Sequence, residues 1–180
     1  MPPPARLAIR AIRDDDQFKH LSLGHADFVP LKTFLKSDAL DYEKCCVART
    51  QVLVDAEHLS EGSRVWGYIT LVASEVEAIA NSLPPAKRWN ASYRVPAVKI
   101  ARMAIDQELQ GQDFGRELVS FAVALVKDQV VPHIGCRLLV TDSKKSAVGF
   151  YSKLGFTTLD TESNKTRSTP VMFMKLDGLD

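Results

Sequence analysis

The chain has 180 residues, of which 46% are hydrophobic and 25% are charged, and its formal net charge is +1. This composition predicts one globular domain over residues 1–180, with residues 1–6 frayed, and excludes a largely disordered chain. A net charge so close to zero excludes a global attraction to nucleic acid or to a membrane, so any such binding requires a local patch. No segment is long and apolar enough to span a bilayer. The three cysteines contain no C-x-x-C pair, which argues against a disulfide framework and a zinc site and favours a reduced, cytoplasmic location.

The first half of the chain predicts a strand, a helix and a hairpin. Leu7–Ile12 has strand character, and the acidic triplet at 14–16 offers a helix cap. Apolar residues between 27 and 42 recur at spacings of three and four, which predicts one helix. Two further strands, over 47–55 and 64–76, are joined by a turn-like sequence and predict a hairpin.

The second half of the chain predicts alternating strands and helices. Two prolines at 84 and 85 forbid a continuous helix or a central strand, so we expect a surface loop over 81–92. Apolar spacing predicts a helix after Phe114, Ser143 is expected to cap the next helix, and Gly155 is expected to end that helix in a left-handed conformation. The predicted strands of this half are 97–105, 137–141 and 171–176. This order of elements implies a mixed α/β domain.

A glycine-containing loop lies between the strand that ends near Ile105 and the helix that follows Phe114. Gly111 and Gly115 place a turn directly before a helix start, where backbone N–H groups and the helix dipole favour an anion. The loop is not a P-loop, because no Gly-Lys-Ser/Thr follows, and it lacks the third glycine of the dinucleotide fingerprint. A purely structural turn is the alternative interpretation of these glycines.

Two motifs together resemble the GNAT superfamily of N-acetyltransferases. The segment 110–115 reads QGQDFG, which is similar to the signature Gln/Arg-x-x-Gly-x-Gly/Ala that follows the fourth strand in that superfamily. The segment 147–156 reads AVGFYSKLGF and is similar to its second signature, Ala-x-x-Phe-Tyr-x-x-x-Gly-Phe. The resemblance implies the GNAT fold, a mixed, twisted β-sheet with helices on both faces and splayed central strands.

The same resemblance implies acetyl-coenzyme A (acetyl-CoA) as cofactor, transfer of its acetyl group to a primary amine, and no metal. Tyr151 would be the catalytic acid that protonates the departing thiolate, and its alternative role is that of a core aromatic residue. Backbone amides of Met103, Ala104 and Ile105 would bind the thioester carbonyl. The further cofactor-binding residues that the resemblance implies are Gln110, Gly111, Gln112, Asp113, Phe114, Gly115, Arg116, Lys144 and Phe150.

Asp113 departs from the signature, which has glycine at that position. Aspartate tolerates a positive φ better than most side chains but less well than glycine. Its carboxylate would also lie near the expected phosphates. We therefore expect weaker coenzyme affinity, partly offset by Arg116 one turn into the helix. This departure also keeps a third interpretation open, that of a catalytically weak acyl-CoA sensor or interaction module.

Four segments resemble the toxin acetyltransferases of type II toxin–antitoxin modules. They are 34–35 (FL), 48–55 (ARTQVLVD), 67–71 (GYITL) and 95–106 (VPAVKIARMAID). Members of that branch acetylate the aminoacyl group of charged transfer RNA (tRNA), so the resemblance implies charged tRNA as acceptor, a small antitoxin protein as partner, and a homodimer as a further option. An acetyltransferase for a small amine or a protein amino group is the competing interpretation.

Basic residues are concentrated between 80 and 105, a segment without any acidic residue. A basic loop with interleaved aromatic residues can contact phosphates and stack on an unpaired acceptor end. A solvated loop whose tryptophan covers the edge of the core explains the same pattern. The candidate substrate-binding residues are Lys87, Arg88, Trp89, Arg94 and Arg102.

Overall fold

A computed structural model describes residues 6–59, 62–77 and 94–176. The strands of this part of the chain are β1 (Leu7–Ala11), β2 (Arg49–Asp55), β3 (Val65–Glu77), β4 (Arg94–Ile105), β5 (Leu138–Asp142), β6 (Thr157–Thr158) and β7 (Val171–Lys175). The α-helices are α1 (Val29–Ser37), α2 (Ala39–Lys44), α3 (Phe114–Leu125), α4 (Val148–Lys153) and α5 (Glu162–Lys165). Within the described residues the strands form one sheet in the order β1-β2-β3-β4-β5-β7-β6.

The sheet contains both parallel and antiparallel pairs. Strand β2 pairs with β1 on one side and with β3 on the other, and both pairs are antiparallel. The β2–β3 pair confirms the predicted hairpin. β4 and β5 are parallel, in a register that runs from Ala97 opposite Leu138 to Ile100 opposite Thr141. β5 and β7 are antiparallel, and β6 pairs with β7. The mixed α/β architecture predicted from the sequence is therefore confirmed.

Contacts between residues divide the chain into two compact units. The first comprises residues 1–72 and 101–122, and its described part has its own apolar core. Leu35 from α1 lies in this core with Val52 and Val54 from β2, which point to one face because side chains alternate along a strand. Pro30 occupies the first turn of α1, where its missing N–H leaves no helical bond unmade.

The second unit comprises residues 73–100 and 123–180. Its described core alternates along β4 and β5, where Val95, Ala97, Leu138 and Val140 contribute to one cluster with Phe173 of β7. The single-domain assignment over residues 1–180 remains a prediction.

Two sequence predictions in the first unit were wrong in detail. The acidic triplet 14–16 does not cap a helix; the carboxylate of Asp16 is buried, forms an ion pair with Arg10 and accepts a hydrogen bond from the Arg13 N–H at 2.8 Å. The single helix predicted over 27–42 is divided into α1 and α2 at Asp38, where φ is −118° instead of the usual helical value of about −63°.

In the second unit Ser143 does not cap the next helix. Its hydroxyl donates to the Lys144 carbonyl, and the helix begins through a 3₁₀ turn, Lys145–Ala147. Gly155 has φ +92°, which confirms the predicted left-handed helix end. The loop predicted over 81–92 lies outside the described residues. No helix in the described ranges is long and apolar enough to cross a membrane.

Candidate active site

The predicted anion-binding loop lies in the first unit and connects β4 to α3. After Ile105 the chain forms a 3₁₀ turn, Gln107–Leu109, and then two left-handed residues, Gly111 at φ +80° and Asp113 at φ +63°. The positive φ considered for Asp113 is therefore confirmed. Asn and Asp are the non-glycine residues that adopt this conformation at the lowest cost, which explains how the loop keeps its form without the signature glycine.

The start of α3 presents backbone donors that the described part of the chain leaves unused. The N–H groups of Phe114, Gly115 and Arg116 have no hydrogen-bond acceptor among the described residues, as expected for the first turn of a helix. The helix dipole adds a partial positive charge at the same place. This arrangement suits an anion such as a pyrophosphate.

Two glutamine side chains of the loop make bonds within it. The Gln110 Nε2 group donates to the Ile105 carbonyl at 3.0 Å, and the Gln112 Nε2 group donates to the Glu108 carbonyl at 2.8 Å. These bonds fix the path of the chain, so the loop offers mainly backbone N–H groups to a ligand.

Arg116 lies close enough to Asp113 to offset its charge. The Nε atom of Arg116 is 3.6 Å from the Asp113 carboxylate, and both side chains are more than half exposed. An exposed pair of this kind contributes little to stability, but it reduces the field that the carboxylate exerts on a nearby anion.

The strand segment Met103–Ile105 lies directly before this loop. Ala104 is buried, and Gly67 of β3 approaches it closely. A Cβ atom at Gly67 would lie 3.0 Å from the Ala104 carbonyl oxygen and 2.7 Å from the Ile105 Cδ1 atom. The absence of a side chain at Gly67 therefore allows β3 to lie close beside the segment predicted to hold the thioester.

Arg102 occupies an unusual position for a charged residue on this sheet. The guanidinium carbon of Arg102 lies 3.9 Å from the centroid of the Phe34 ring of α1, a cation–π contact. Arg10, Arg49 and Arg94, the other strand arginines in the described ranges, pair with carboxylates, whereas Arg102 has no such partner there. Its charge is thus available to an anionic ligand.

Tyr151 lies on α4 in the second unit and is 7% exposed. Its ring packs edge-on against Phe150 and Phe156, with ring centroids 5.1 Å and 5.3 Å apart. Burial raises the pKa of the Tyr151 hydroxyl, and a hydrogen bond with the Thr141 side chain partly opposes that rise. The hydroxyl therefore stays protonated at neutral pH and can donate a proton.

The acetyltransferase (GNAT) domain family matches residues 42–158. The chain belongs to the GNAT acetyltransferase family. Its fold is the GNAT fold, its activity is acetyl transfer, and its cofactor is acetyl-CoA.

Solved structures of the AtaT toxin and of KacT are similar to this acetyltransferase over nearly its whole length. A tyrosine-to-phenylalanine mutant of the AtaT toxin is 26% identical with a TM-score of 0.76, over 94% of this chain and 89% of that chain. A tyrosine-to-phenylalanine mutant of KacT is 26% identical with a TM-score of 0.77, over 94% and 95% of the two chains. AtaT complexed with acetyl-methionyl-tRNAfMet is also 26% identical, with a TM-score of 0.77 over 94% of this chain and 95% of that chain. The resemblance to the toxin branch is therefore confirmed.

The predicted site residues of this GNAT acetyltransferase fall into two groups. Arg102 to Ile105 and Gln110 to Arg116 lie together in the first unit, and Arg94, Lys144, Phe150 and Tyr151 belong to the second. Lys87, Arg88 and Trp89 lie outside the described residues.

Arg94 was predicted to be a free basic residue that binds the substrate, but it forms ion pairs with two glutamates. Its guanidinium lies 3.1 Å from a Glu75 carboxylate oxygen and 3.7 Å from one of Glu77. Both acidic residues belong to β3, so they precede the segment that the sequence shows to be free of acids. Lys144 is exposed beside the 3₁₀ turn that opens α4.

Four residues around the site were not predicted as site residues: Phe34 against Arg102, Gly67 beside Ala104, Asp106 before the loop, and Thr141 beside Tyr151. Asp106 carried a detectable signal, because an aspartate directly after a strand and before Gln-Glu-Leu is a typical cap of a short helical turn. The Phe34–Arg102 and Gly67–Ala104 contacts join distant parts of the sequence, and the Thr141–Tyr151 contact joins a strand to the helix after it, so none of them leaves a periodic pattern.

Proposed function

We propose that this GNAT acetyltransferase acetylates the α-amino group of the amino acid carried by a charged tRNA. The observation that carries this proposal is its similarity to AtaT, which has been solved in complex with acetyl-methionyl-tRNAfMet, at 26% identity over 94% of this chain. That similarity favours an aminoacyl acceptor over a small amine or a protein amino group.

The coenzyme is held, in this proposal, by the loop and by the strand before it. The free N–H groups of Phe114, Gly115 and Arg116 bind the pyrophosphate, and Arg116 adds a positive charge. Backbone amides of Met103–Ile105 hydrogen-bond the carbonyl oxygen to be attacked and stabilise the negative charge that develops on it. Acetyl-CoA, when bound, supplies the acetyl group as an activated thioester.

Tyr151 supplies the proton that the departing sulfur requires. The nitrogen–carbon bond forms and the carbon–sulfur bond breaks, the attacking amine loses one proton to solvent, and the Tyr151 hydroxyl donates one to the sulfur. Solvent then returns a proton to the Tyr151 phenolate. The raised pKa of Tyr151 keeps that proton in place at neutral pH. An α-amine has a reference pKa of about 8, so a usable fraction is already neutral and no strong protein base is needed.

Arg102 provides the contact that distinguishes an RNA acceptor from an uncharged amine. Its guanidinium is fixed on the Phe34 ring and has no carboxylate partner in the described ranges. A phosphate of the acceptor end would satisfy it with charge-assisted hydrogen bonds. Balanced net charge does not oppose this, because a single well-placed cation acts locally.

The sensor interpretation loses its main support. It was motivated by Asp113, and that residue adopts the left-handed conformation that the loop requires, with Arg116 3.6 Å away.

The proposed partner is a small antitoxin protein. AtaT has been solved with the C-terminus of the antitoxin AtaR and acetyl-CoA at 25% identity to this chain, and KacTA has been solved with DNA. A homodimer remains a prediction.

The acceptor is tested by incubating the purified protein with acetyl-CoA labelled in the acetyl group, alongside charged tRNA, deacylated tRNA, polyamines and peptides. We expect label in charged tRNA alone, and loss of that label after mild alkaline hydrolysis of the aminoacyl ester. Label only in polyamines or peptides would overturn the tRNA proposal and leave the acetyltransferase activity standing. Arg102→Gln should reduce labelling of tRNA, whereas Arg49→Gln, which removes a strand arginine paired with Glu43, should not.

A further inference from the structure

We propose that Asp106 is a positioning residue that holds the coenzyme loop in its binding conformation before the coenzyme arrives. This inference rests on the proposed role of the loop at 110–116 as the pyrophosphate site. It concerns binding of acetyl-CoA only, so it does not depend on the identity of the acceptor.

The Asp106 carboxylate is fully buried and uses both of its oxygens. One oxygen accepts the Ser22 N–H at 2.9 Å, and the other accepts the Glu108 N–H at 3.0 Å. The backbone N–H of Asp106 donates to the Trp66 carbonyl at 2.7 Å. One residue therefore ties the end of β4 to β3, to the segment around Ser22, and to the turn that opens the loop.

Further contacts link the segment around Ser22 to the end of β4. The Gln107 N–H donates to the Ser22 carbonyl at 2.7 Å, so residues 22 and 106–107 are linked in both directions. The Arg64 guanidinium lies 3.8 Å from the buried carboxylate and stacks 3.5 Å from the centroid of the Trp66 ring. Its positive charge interacts favourably with the buried carboxylate of Asp106.

A chain of hydrogen bonds leads from Asp106 to the start of α3. The Leu109 N–H donates to the Asp106 carbonyl at 2.9 Å, and Leu109 is buried. The Gln112 N–H then donates to the Leu109 carbonyl at 3.3 Å, while the Gln112 side chain binds the Glu108 carbonyl at 2.8 Å. The orientation of the free N–H groups after Asp113 therefore follows from the turn that Asp106 fixes. A loop ordered in advance binds its ligand more tightly, because less conformational entropy is lost on binding.

The carboxylate is required, rather than any side chain of similar size. Asparagine fills the same volume, but it has one oxygen and one NH₂ group. In Asp106→Asn one of the two N–H donors, of Ser22 or Glu108, would face an NH₂ group and stay unpaired in the interior. Loss of a buried hydrogen bond to a charged group changes an equilibrium by about tenfold or more.

The test is coenzyme binding by isothermal titration calorimetry, with coenzyme A and acetyl-CoA as probes, and backbone hydrogen exchange over residues 107–116. We expect Asp106→Asn to weaken coenzyme binding by about tenfold and to accelerate exchange in this segment. The matched control is Asp16→Asn, which also removes a buried, paired carboxylate of the first unit but whose partners are Arg10 and Arg13 rather than residues of the loop. It should lower the melting temperature and leave the coenzyme Kd within about twofold, because its effect is on stability alone.

Unchanged coenzyme affinity in a folded Asp106→Asn protein would overturn the inference. Gly115→Glu places a carboxylate in the first turn of α3. This variant tests separately whether the coenzyme binds at the loop at all. If Gly115→Glu weakens binding and Asp106→Asn does not, only the role of Asp106 is lost; if neither does, the coenzyme does not bind at this loop.

Arg64→Gln keeps the inference falsifiable if Asp106→Asn fails to fold. It removes the cation facing the carboxylate but leaves both backbone bonds to Asp106 in place. We expect a smaller loss of coenzyme affinity, of about threefold, with faster exchange over residues 107–113. Unchanged affinity and exchange in Arg64→Gln would contradict the inference as well.

Discussion

The ring of Tyr151 is enclosed by two phenylalanine rings, its hydroxyl is hydrogen-bonded to the Thr141 side chain, and burial raises the pKa of that hydroxyl. Burial disfavours the phenolate, so the group enters the reaction as an acid. The same enclosure also fits a core aromatic residue, and mutation separates the two roles.

Tyr151→Phe removes the donated proton but keeps the ring and its packing. We expect kcat to fall by about a hundredfold, as for loss of a general acid, with coenzyme Kd within about twofold. Steady-state kinetics and calorimetry measure the two quantities. Tyr42→Phe, at an exposed tyrosine, is the control and should leave both unchanged. Full turnover in Tyr151→Phe would remove Tyr151 from the mechanism.

Asp113 has a strained backbone and an unfavourable charge for a phosphate ligand. Asp113→Gly removes the carboxylate and suits φ +63°, so coenzyme binding should tighten by about threefold to tenfold and the melting temperature should rise. Arg116→Gln should have the opposite effect on binding, because it leaves the carboxylate unopposed. Looser binding in Asp113→Gly would show that the carboxylate itself contacts the coenzyme.

Two buried tyrosines predict how stability changes at alkaline pH. Burial raises the pKa of both Tyr68 and Tyr151 in the folded protein, and the Tyr68 hydroxyl donates to the Leu31 carbonyl at 2.7 Å. In the unfolded protein a tyrosine loses its proton at about pH 10, whereas the buried tyrosines keep theirs to higher pH. Their contribution to the free energy of unfolding is therefore fully present below about pH 10 and is lost as the pH rises above that value.

The free energy of unfolding, measured by urea denaturation from pH 8 to 11, should therefore be flat with respect to these groups below pH 10 and fall above it. Tyr68→Phe should lessen the slope above pH 10. An unaltered slope in that variant would mean that Tyr68 titrates normally in the folded protein.

At the level of the strands, the close approach of β3 to β4 depends on Gly67. Gly67→Ala would force the Ala104 carbonyl and the Ile105 side chain to move. We expect a loss of about 1–3 kcal/mol in stability and reduced acetyl transfer, because the displaced segment is the one that holds the thioester. Gly149→Ala is the control, since a Cβ there meets no atom within 4 Å and alanine favours a helix. Equal stability in both variants would contradict this role of Gly67.

Elements were predicted well where a local pattern determines them and less well where a distant contact does. The strands other than β6, which was missed, and helix α3 follow from alternation and helical spacing, and Gly155 and Asp113 follow from backbone conformation. The break at Asp38 was not predicted, because apolar spacing continues across it. The short helix α5 was also missed; its buried Asn164 makes hydrogen bonds to Leu159 and Val171, and no periodic pattern reports such a contact.

For the molecule as a whole, short sequence motifs predicted the family and its reaction. The contacts that hold the site residues in place involve residues far apart in the sequence. The glycine loop and the Phe-Tyr motif each lie within ten residues or so of sequence, so the sequence alone indicated the family. The bond from Ser22 to Asp106 joins residues 84 positions apart, and the Arg102–Phe34 contact also joins distant segments. Such pairs become visible only when the chain is folded.

The net charge of the chain is a poor guide to whether it binds RNA. A value of +1 argued against a nucleic-acid partner, yet the described structure contains a strand arginine without a carboxylate partner beside the proposed site. The distribution of paired and unpaired cations, rather than their sum, is therefore the relevant quantity for an RNA acceptor.

The most direct measurement of the central claim is the mass of the amino acid released from charged tRNA after incubation with the protein and acetyl-CoA. The proposal predicts an amino acid heavier by one acetyl group, blocked at its α-amine, with Tyr151→Phe giving the unmodified amino acid over the same time. An unmodified amino acid with the unaltered protein, under conditions where polyamines or peptides are acetylated, would contradict it.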